Sequence, residues 1–292
     1  QVLKLMAPRV LGLSFSEINK FIILFLTGTA VMALGSLPAI NVAFRIINLP
    51  LGILGIALGI AAFPTLSTLA ARHALDDMRV IITDSLRLLL FLGFPITVLL
   101  LLLSQPTITL LFERGLFNAE STEFASAALF YLSLGLIALM MLEVIARAFY
   151  ALSDTLTPVL AGGAQIAIMA VLSLWLSQKV FPQRGLLPLG GLALGFSLSN
   201  YFEVALLFWL LRRKMGRLEG RVLLDGSLRM GLAAGVMTAV TLIALAQIPS
   251  SPWWQMLVGS VVGGLAYLLA CAVLRVKELE QVVAYGRRRF SR

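Results

Sequence analysis

The sequence is poor in the residues that form disulfide frameworks, metal clusters and solvated surfaces. It contains one cysteine and one histidine in 292 residues, and only 13% of its residues are charged. Cys271 lies in an apolar run and His73 in a polar loop, so we interpret them as a packing residue and a solvated residue. The glycine patterns of a nucleophile elbow or a phosphate loop are absent as well. The sequence therefore indicates no enzyme, cofactor or metal site. A membrane enzyme that uses scattered carboxylates is the one class that these missing patterns do not exclude.

Apolar residues are what the sequence has in excess. Its hydrophobic fraction is 60% and its mean hydropathy is +0.97, whereas a soluble domain has about 45–50% apolar and 25% charged residues. A globular fold of this length could not bury so much apolar surface, but a lipid bilayer accepts it. The composition therefore predicts an all-α, polytopic membrane protein.

The apolar residues are grouped into recurring runs separated by polar or Gly/Pro-containing joints. About 20 helical residues cross a hydrocarbon layer of about 30 Å, so the runs predict a bundle of about eight transmembrane helices. The second run is long for one crossing, which favours a helix that is tilted or bent around its glycines. The predicted spans are 9–32, 39–69, 84–112, 124–149, 156–178, 187–211, 226–247 and 253–275.

Basic residues are distributed unequally between alternate joints. If the chain starts in the cytoplasm, the outer segments hold only Arg114, Lys179 and Arg184, and the inner segments and the tail hold most of the other basic residues. The positive-inside bias then favours both ends in the cytoplasm, which an even number of spans allows. This bias also accounts for the net charge of +9, so no nucleic-acid partner is expected. The basic tail is predicted to anchor the chain or to contact the anionic inner leaflet.

A polar stripe lies within the second predicted span. Asn41, Arg45 and Asn48 are spaced i, i+4, i+7, so they share one face of an otherwise apolar helix. No acidic residue lies within a turn or two of Arg45, and a buried charge costs at least about 2.5–3.5 kcal/mol on insertion. A guanidinium suits an anionic ligand such as phosphate, which it can bind in a bidentate way. The stripe is therefore predicted to bind substrate, and a salt bridge to a distant helix is the alternative.

Two further charge pairs lie in or next to the first and third predicted spans. Glu17 and Lys20 are three residues apart on one helix face. They are predicted to line a polar cavity or a coupling-ion site, with a self-neutralised structural pair as the alternative. Glu113 and Arg114 are adjacent at the outer end of the third span and precede a glycine, which favours a structural cap over a binding site.

The remaining candidates are placed on the inner half of the later spans. Glu143 and Arg147 are four residues apart in the favourable order for a helix pair. Asp154 can cap the following helix, so a tight structural joint is favoured for these three residues over a coupling role. Glu203 stands alone in the sixth span, where a hydrogen bond to a neighbouring helix and a proton-carrying role are both open.

Three stretches, in this order and spacing, resemble the MurJ/MviN family of lipid II flippases. They are FRIINLPLG at 44–52 running on to FPTLS at 63–67, LFERGLF at 111–117, and RAFYALSDTLTP at 147–158. The resemblance covers nearly the whole chain. It implies a fourteen-helix, MATE-like member of the MOP exporter superfamily, with two six-helix lobes around a cationic cavity and two additional helices after them.

The resemblance also implies an assignment of regions along this chain. The second six-helix lobe corresponds to 1–213, a basic cytoplasmic loop to 214–225, the two additional helices to 226–275 and a basic cytoplasmic tail to 276–292. The first lobe, which precedes these regions in the family, is missing from this chain and is an expected partner. The additional helices are expected to lie beside membrane lipid and the lipid tail of the substrate.

The implied activity is the transfer of a peptidoglycan precursor, undecaprenyl-diphosphate-linked lipid II, from the inner to the outer leaflet of the bacterial cytoplasmic membrane. Alternating access is the implied mechanism, with Arg45 at the second-lobe cationic position of the cavity. Two other hypotheses are kept. One is transport of another polyprenyl-linked glycan or a drug, although Arg45 disfavours a cationic drug. The other is a structural membrane protein without transport activity.

The chain departs from the family at a sodium site. Some members bind sodium through an acidic residue in the first of these spans, and that position is Ile23 here. The matching region at 169–173 is also poor in ligands. The sequence therefore argues against a sodium site, and it leaves sodium or the membrane potential as the candidates for the driving force.

Overall fold

The computed structural model describes residues 22–23, 25–28, 35–216 and 220–280, with the side chains of 221 and 222 excepted. Within these residues the chain is helical and contains no strand. The helices are α1 (Ser36–Ala71), α2 (Leu75–Leu102), α3 (Ser104–Phe112), α4 (Ala119–Ser133), α5 (Leu136–Ala151), α6 (Leu156–Gln183), α7 (Pro188–Met215), α8 (Gly220–Leu245) and α9 (Pro252–Val273).

The predicted multi-pass helical bundle is confirmed. Six helices of the described part are long and apolar enough to cross a membrane, and the bent pair α4–α5 makes a seventh if it is counted as one span. The first predicted span, 9–32, lies mostly outside the described residues. It contains Glu17 and Lys20, so the structure does not place either of these candidates.

The second predicted span, 39–69, is one helix whose hydrogen bonding changes in the middle. Helix α1 has 36 residues and contains a π-helical segment at Leu51–Ile56. Pro50 has no N–H to donate to the carbonyl of Ile46, and the wider hydrogen-bonding pattern begins directly after it. The helix is about 54 Å long, well beyond a hydrocarbon layer of about 30 Å. The second predicted span is therefore a single long helix, and its irregular part is the π-helical segment.

The prediction of a single third span at 84–112 is wrong at its beginning and in its last third. Helix α2 begins earlier, at Leu75, with two aspartates in its first turn, and it ends at Leu102. The remaining residues form the separate helix α3. Pro106 explains the break, because a continuous helix would require it to donate an N–H to the Leu102 carbonyl and its ring would clash there.

The fourth predicted span, 124–149, is formed by two helices that count as one span when the bent pair is taken together. Helices α4 and α5 meet at an angle of 47°. The bend coincides with a close approach to α7, since a Cβ atom on Gly135 would lie 2.7 Å from the hydroxyl oxygen of Ser197. The Leu134 carbonyl at the break accepts a hydrogen bond of 2.8 Å from the Tyr201 hydroxyl, so α7 replaces a hydrogen bond that the bend removes.

The helices enclose two hydrophobic clusters. The larger cluster is shared by α1, α2 and α4 to α7, with Ile108 of α3. The smaller one joins α8 and α9 to α2, and it includes Phe91, Met237 and Tyr267. Cys271 is fully buried in this second cluster, which confirms its interpretation as a packing residue, and His73 is exposed at the end of α1.

Candidate functional site

The polar stripe of α1 lies on a face that no other described helix covers. Asn41, Arg45 and Asn48 are all exposed, whereas Ala39, Ala43 and Ile47 on the opposite face are buried. The buried face packs against α4. The small side chains of this buried face allow that close packing, and the polar side chains are turned away from it.

Arg45 is the free cation of this stripe. The Asn41 amide nitrogen donates to the Leu37 carbonyl at 2.9 Å, which fixes the amide on its own helix. Arg45 makes no hydrogen bond and no ion pair with any residue that the structure describes. A salt bridge from Arg45 to a distant helix is therefore not formed within the described part of the chain. The donors of Arg45 are therefore not used by any described residue, and such a free guanidinium suits an anionic ligand.

Glu143 and Arg147 form an ion pair on α5, as their spacing predicts. The Arg147 guanidinium also donates to the Glu143 carbonyl at 2.6 Å. It lies tightly against α1, because a Cβ atom on Gly59 would be 2.7 Å from its Nη1 atom. These contacts hold Arg147 between the two helices, which agrees with the structural interpretation of the pair.

Asp154 joins two helices at the same end of the bundle. Its carboxylate accepts hydrogen bonds from the Thr157 N–H at 3.0 Å and from the Lys214 ammonium at 2.8 Å. It thereby caps the first turn of α6 and pairs with the basic last turn of α7. Burial alone raises the pKa of Asp154, but the hydrogen bonds from Lys214 and Thr157 outweigh it and hold the pKa below its usual value.

Glu113 and Arg114 lie at the other end of the bundle, after α3. The Glu113 carboxylate accepts a hydrogen bond of 2.8 Å from the Thr122 hydroxyl of α4. Gly115 follows with a φ of +63°, a left-handed conformation that glycine adopts without strain. Arg114 is exposed. The carboxylate thus ties the end of α3 to the start of α4, as a structural cap does.

Glu203 lies halfway along α7 and faces α6. A Cβ atom on Gly162 would lie 3.5 Å from its Oε1 atom, an ordinary van der Waals contact, so the carboxylate lies directly beside this glycine. It has no hydrogen bond or ion pair with the described residues. The hydrogen bond to a neighbouring helix is therefore not formed in this part of the chain, and the proton-carrying role stays a prediction.

A buried ion pair between α2 and the segment after α9 was not predicted from the sequence. The Arg87 guanidinium donates to the Glu278 carboxylate, and their side chains are only 11% and 7% exposed. In the sequence Arg87 is one of several inner basic residues, and no local pattern singles out Glu278. The sequence signal for this pair was the position of Arg87, which lies 12 residues inside a helix that continues into an apolar run. A charge in such a position requires a partner.

The positions at which the sequence argues against a sodium site carry mostly apolar side chains. Ile23 and Met169 are both buried. Ser173 is buried too, and its hydroxyl donates to the Leu192 carbonyl at 3.2 Å. Since sodium requires several oxygen ligands that converge on one point, these residues do not fit a sodium ion.

Helices α8 and α9 form an apolar groove of about 640 Å³ on the outside of the bundle. It borders the cationic end of the pair, since the groove reaches Leu274 and Arg275 follows directly. It is lined by Leu232, Val236, Val240, Val262, Leu265, Ala266, Leu269, Ala270, Val273 and Leu274.

Comparison with known protein families gives one match that covers most of the chain. The model of the family described as lipid II flippase MurJ matches residues 1–266. A probable lipid II flippase MurJ of Rhizobium tropici is 33% identical over 180 residues, which are 62% of this chain and 32% of that protein. A second one, of Rhizobium meliloti, is 31% identical over 247 residues, or 84% of this chain and 44% of that protein.

Solved structures show the same fold. A lipid II flippase MurJ in an inward closed conformation superposes with a TM-score of 0.76 at 23% identity, over 93% of this chain and 53% of that chain. A MOP superfamily transporter from Pyrococcus furiosus gives 0.59 at 19% identity, over 97% of this chain and 67% of that one. This chain therefore spans about a third to a half of the curated relatives it matches and has the MATE-like fold of this superfamily.

Proposed function

Because this chain belongs to the lipid II flippase MurJ family, we propose that it forms part of a flippase for the undecaprenyl-diphosphate-linked peptidoglycan precursor. The longer protein would move lipid II from the inner to the outer leaflet of the bacterial cytoplasmic membrane by alternating access. This chain contributes the second lobe and two additional helices, and the first lobe of the same protein is its partner. Rocking of the two lobes about a substrate site near the bilayer midplane would expose that site to each side in turn.

Arg45 carries this proposal. Its guanidinium is exposed and unpaired within the described residues, on a helix face that no described helix covers. In a two-lobe transporter such a face borders the space between the lobes, and a diphosphate is the part of lipid II that a guanidinium binds in a bidentate way. Asn41 and Asn48 extend the stripe over about 10 Å of helix, which suits them to hydrogen bonds with the diphosphate or its first sugar. Glu17 and Lys20 are proposed to line the same cavity.

The proposed regions are those that the family resemblance implies, and the charges support the proposed orientation. The second lobe is 1–213, the basic loop is 214–225, the additional helices are 226–275 and the basic tail is 276–292, with both ends in the cytoplasm. The basic last turn of α7 supports this orientation. The exposed Trp253 and Trp254 at the opposite end of the bundle suit an outer interface.

The apolar groove of α8 and α9 is proposed to lie beside the lipid tail of the substrate and membrane lipids. Its lining is almost purely aliphatic, so it offers a polyprenyl chain the same environment as the bilayer core.

The membrane potential is proposed as the driving force in preference to sodium, since moving one charge is worth about 2.3 kcal/mol per 100 mV. Replacing sodium by potassium in a transport assay should then leave the rate unchanged, and a rate that follows the sodium gradient would contradict this choice.

The decisive experiment compares three variants of the full-length protein in proteoliposomes containing fluorescent lipid II. Arg45→Ala should reduce the flipping rate at least ten-fold, and Arg45→Lys should retain part of it, because an ammonium supplies the charge without the bidentate geometry. Arg212→Ala, an exposed arginine at the end of α7, is the matched control and should flip at the wild-type rate. Wild-type flipping by Arg45→Ala would remove the basis of the proposal.

A further inference from the structure

A cationic cavity that contains no residue of α1 lies between α2, α8 and the segment after α9. It has a volume of about 260 Å³. Its four basic side chains outnumber its two acidic ones, which leaves a net charge of +2. The charged lining consists of Arg87, Asp225, Arg229, Arg275, Lys277 and Glu278.

Two of the four cations that line this cavity are paired and two are not. Arg87 pairs with Glu278, and Arg229 pairs with Asp225 at 3.0 Å. Arg275 and Lys277 are exposed and make no ion pair with any described residue. Two unpaired cations that line one cavity just after the end of α9 are suited to a phosphate group.

A buried carboxylate oxygen in the same cavity also has no partner. Glu278 is only 5% exposed, and its Oε1 atom accepts the bond from Arg87. Its Oε2 atom is buried and has no hydrogen-bond partner among the described residues. A buried carboxylate oxygen needs a donor, so a ligand that complements this cavity carries a hydroxyl group as well as a phosphate.

The backbone at Arg275 is unusual for an arginine. Its φ is +51°, and the N–H groups of Arg275 and Val276 donate to the carbonyls of Ala272 and Cys271. This is the left-handed turn that ends helices and that glycine ordinarily occupies. The same turn ends α1 at His73 and α5 at Ser153, so the positive φ does not by itself mark a ligand site. It does mean that arginine is strained here where glycine would not be.

The cavity continues into the apolar groove of α8 and α9. On α8, Arg229 lines the cavity and Leu232, three residues later on the same face, lines the groove. On α9, Leu274 ends the groove and Arg275 begins the cavity. The groove residues from Val262 to Leu274 span about 18 Å of helix, close to the thickness of one leaflet, about 15 Å. A charged head and an apolar chain are thus accommodated side by side.

We propose that this cavity and groove bind an anionic glycerophospholipid with a hydroxylated head, of the phosphatidylglycerol class, at the cytoplasmic surface. Its phosphate contacts Arg275 and Lys277, its glycerol hydroxyl donates to Glu278 Oε2, and one acyl chain lies in the groove. The bound lipid would hold the segment after α9 against α2. This site is separate from the stripe of Arg45 and does not require the proposed transport cargo.

The test is a lipid titration of the full-length protein in a non-ionic detergent, monitored by native mass spectrometry. The probes are phosphatidylglycerol, phosphatidylmethanol, which has the same phosphodiester charge without hydroxyls, and zwitterionic phosphatidylethanolamine. Phosphatidylglycerol should bind about five- to ten-fold more tightly than phosphatidylmethanol because of the bond to Glu278, and phosphatidylethanolamine should bind more weakly than both. Equal binding of phosphatidylglycerol and phosphatidylmethanol would overturn the assignment of the hydroxyl.

The variant Arg275→Gly/Lys277→Ala should weaken phosphatidylglycerol binding at least ten-fold. The matched control Arg212→Ala/Arg213→Ala removes two cations from the same end of the bundle and should change binding less than two-fold. Equal losses in both variants would show nonspecific attraction and overturn the site. Displacement of phosphatidylglycerol by an equal amount of lipid II, but not by undecaprenol, whose uncharged chain could enter only the groove, would assign the cavity to the diphosphate of the cargo instead.

The substitution Arg275→Gly alone separates binding from folding. Glycine relieves the positive φ, so the thermal midpoint without added lipid should stay unchanged or rise. Added phosphatidylglycerol should raise the midpoint of the wild type and raise that of Arg275→Gly less. A lower midpoint for Arg275→Gly without lipid would make the arginine a structural residue and contradict the proposal.

Discussion

The hydroxyl of Tyr267 donates a hydrogen bond of 2.8 Å to the carbonyl oxygen of Phe91. Phe91 precedes Pro95 by four residues in α2, and proline has no N–H with which to satisfy that carbonyl. The tyrosine of α9 therefore supplies the donor that the helix lacks, inside the second hydrophobic cluster. The bond fixes α9 at one height along α2, in a region where apolar packing alone is not directional.

Tyr267→Phe should destabilise the protein by about 0.6–1.7 kcal/mol, because the Phe91 carbonyl then has no donor in an apolar environment. Pro95→Ala restores a backbone N–H to the same carbonyl. In that background the tyrosine substitution should cost much less, and a double-mutant cycle of thermal midpoints in detergent measures the difference. Equal costs of Tyr267→Phe in the wild type and in the Pro95→Ala variant would show that the two groups act independently.

Glu278→Ala should destabilise the protein by about 3–5 kcal/mol, since it leaves the buried Arg87 guanidinium without its counter-charge. The double substitution Arg87→Met/Glu278→Leu removes both charges and should recover most of the loss. Chemical or thermal unfolding of the purified protein measures both. A double variant as unstable as the single one would mean that the geometry of the pair, and not the unpaired charge, stabilises the fold.

Gly135→Ala should destabilise the bend between α4 and α5 by about 1–3 kcal/mol, because the new methyl group would lie 2.9 Å from the Cα atom of Ser197. Gly264 of α9 is a matched control with open space around a Cβ atom. Gly264→Ala should be neutral or stabilise the helix by up to about 1 kcal/mol. The thermal midpoint should therefore fall for Gly135→Ala and stay unchanged or rise for Gly264→Ala. Equal shifts of the two midpoints would contradict this prediction.

The stability of the joint at Asp154 should depend on pH. The pKa of this carboxyl is lowered in the folded protein, so its stabilising effect is present above its unfolded pKa of about 3.9 and is lost as the pH falls through the folded value. The wild type should therefore lose stability more steeply below about pH 4 than Asp154→Asn does. Lys214→Met should lie between them, because the hydrogen bonds from Thr157 remain. Parallel pH profiles of wild type and Asp154→Asn would contradict this assignment.

The sequence predicts those features of the fold that depend on neighbouring residues. Helices α6, α7 and α9 begin within one residue of the predicted positions, because their apolar runs follow polar or Gly/Pro-containing joints. The ion pair of Glu143 with Arg147 was predicted because four residues along a helix determine the distance. The breaks after α2 and α4 were missed because apolarity continues through them, although Pro106 and Gly135 carried the signal.

Contacts between residues distant in the sequence could not be predicted in this way. Arg87 and Glu278 are 191 residues apart, and no periodicity relates them. The two charged sites differ in the same way, since one depends on local spacing and the other on distant contacts. The stripe of Arg45 follows from local spacing, whereas the cationic cavity near Arg275 requires α2, α8 and the segment after α9 to meet.

The π-helical segment Leu51–Ile56 divides α1 into two parts, and the side chains of one part are rotated about the helix axis relative to those of the other. Each residue of an α-helix turns the chain by about 100°, so one residue accommodated in a wide turn rotates everything on one side relative to the other. The stripe of Arg45 lies before the segment, and the contact of Gly59 with Arg147 lies after it. A deletion of one residue within Leu51–Ile56 would keep the helix and its composition but aim Arg45 at a different neighbour, which makes this turn the element that sets the direction of the charge.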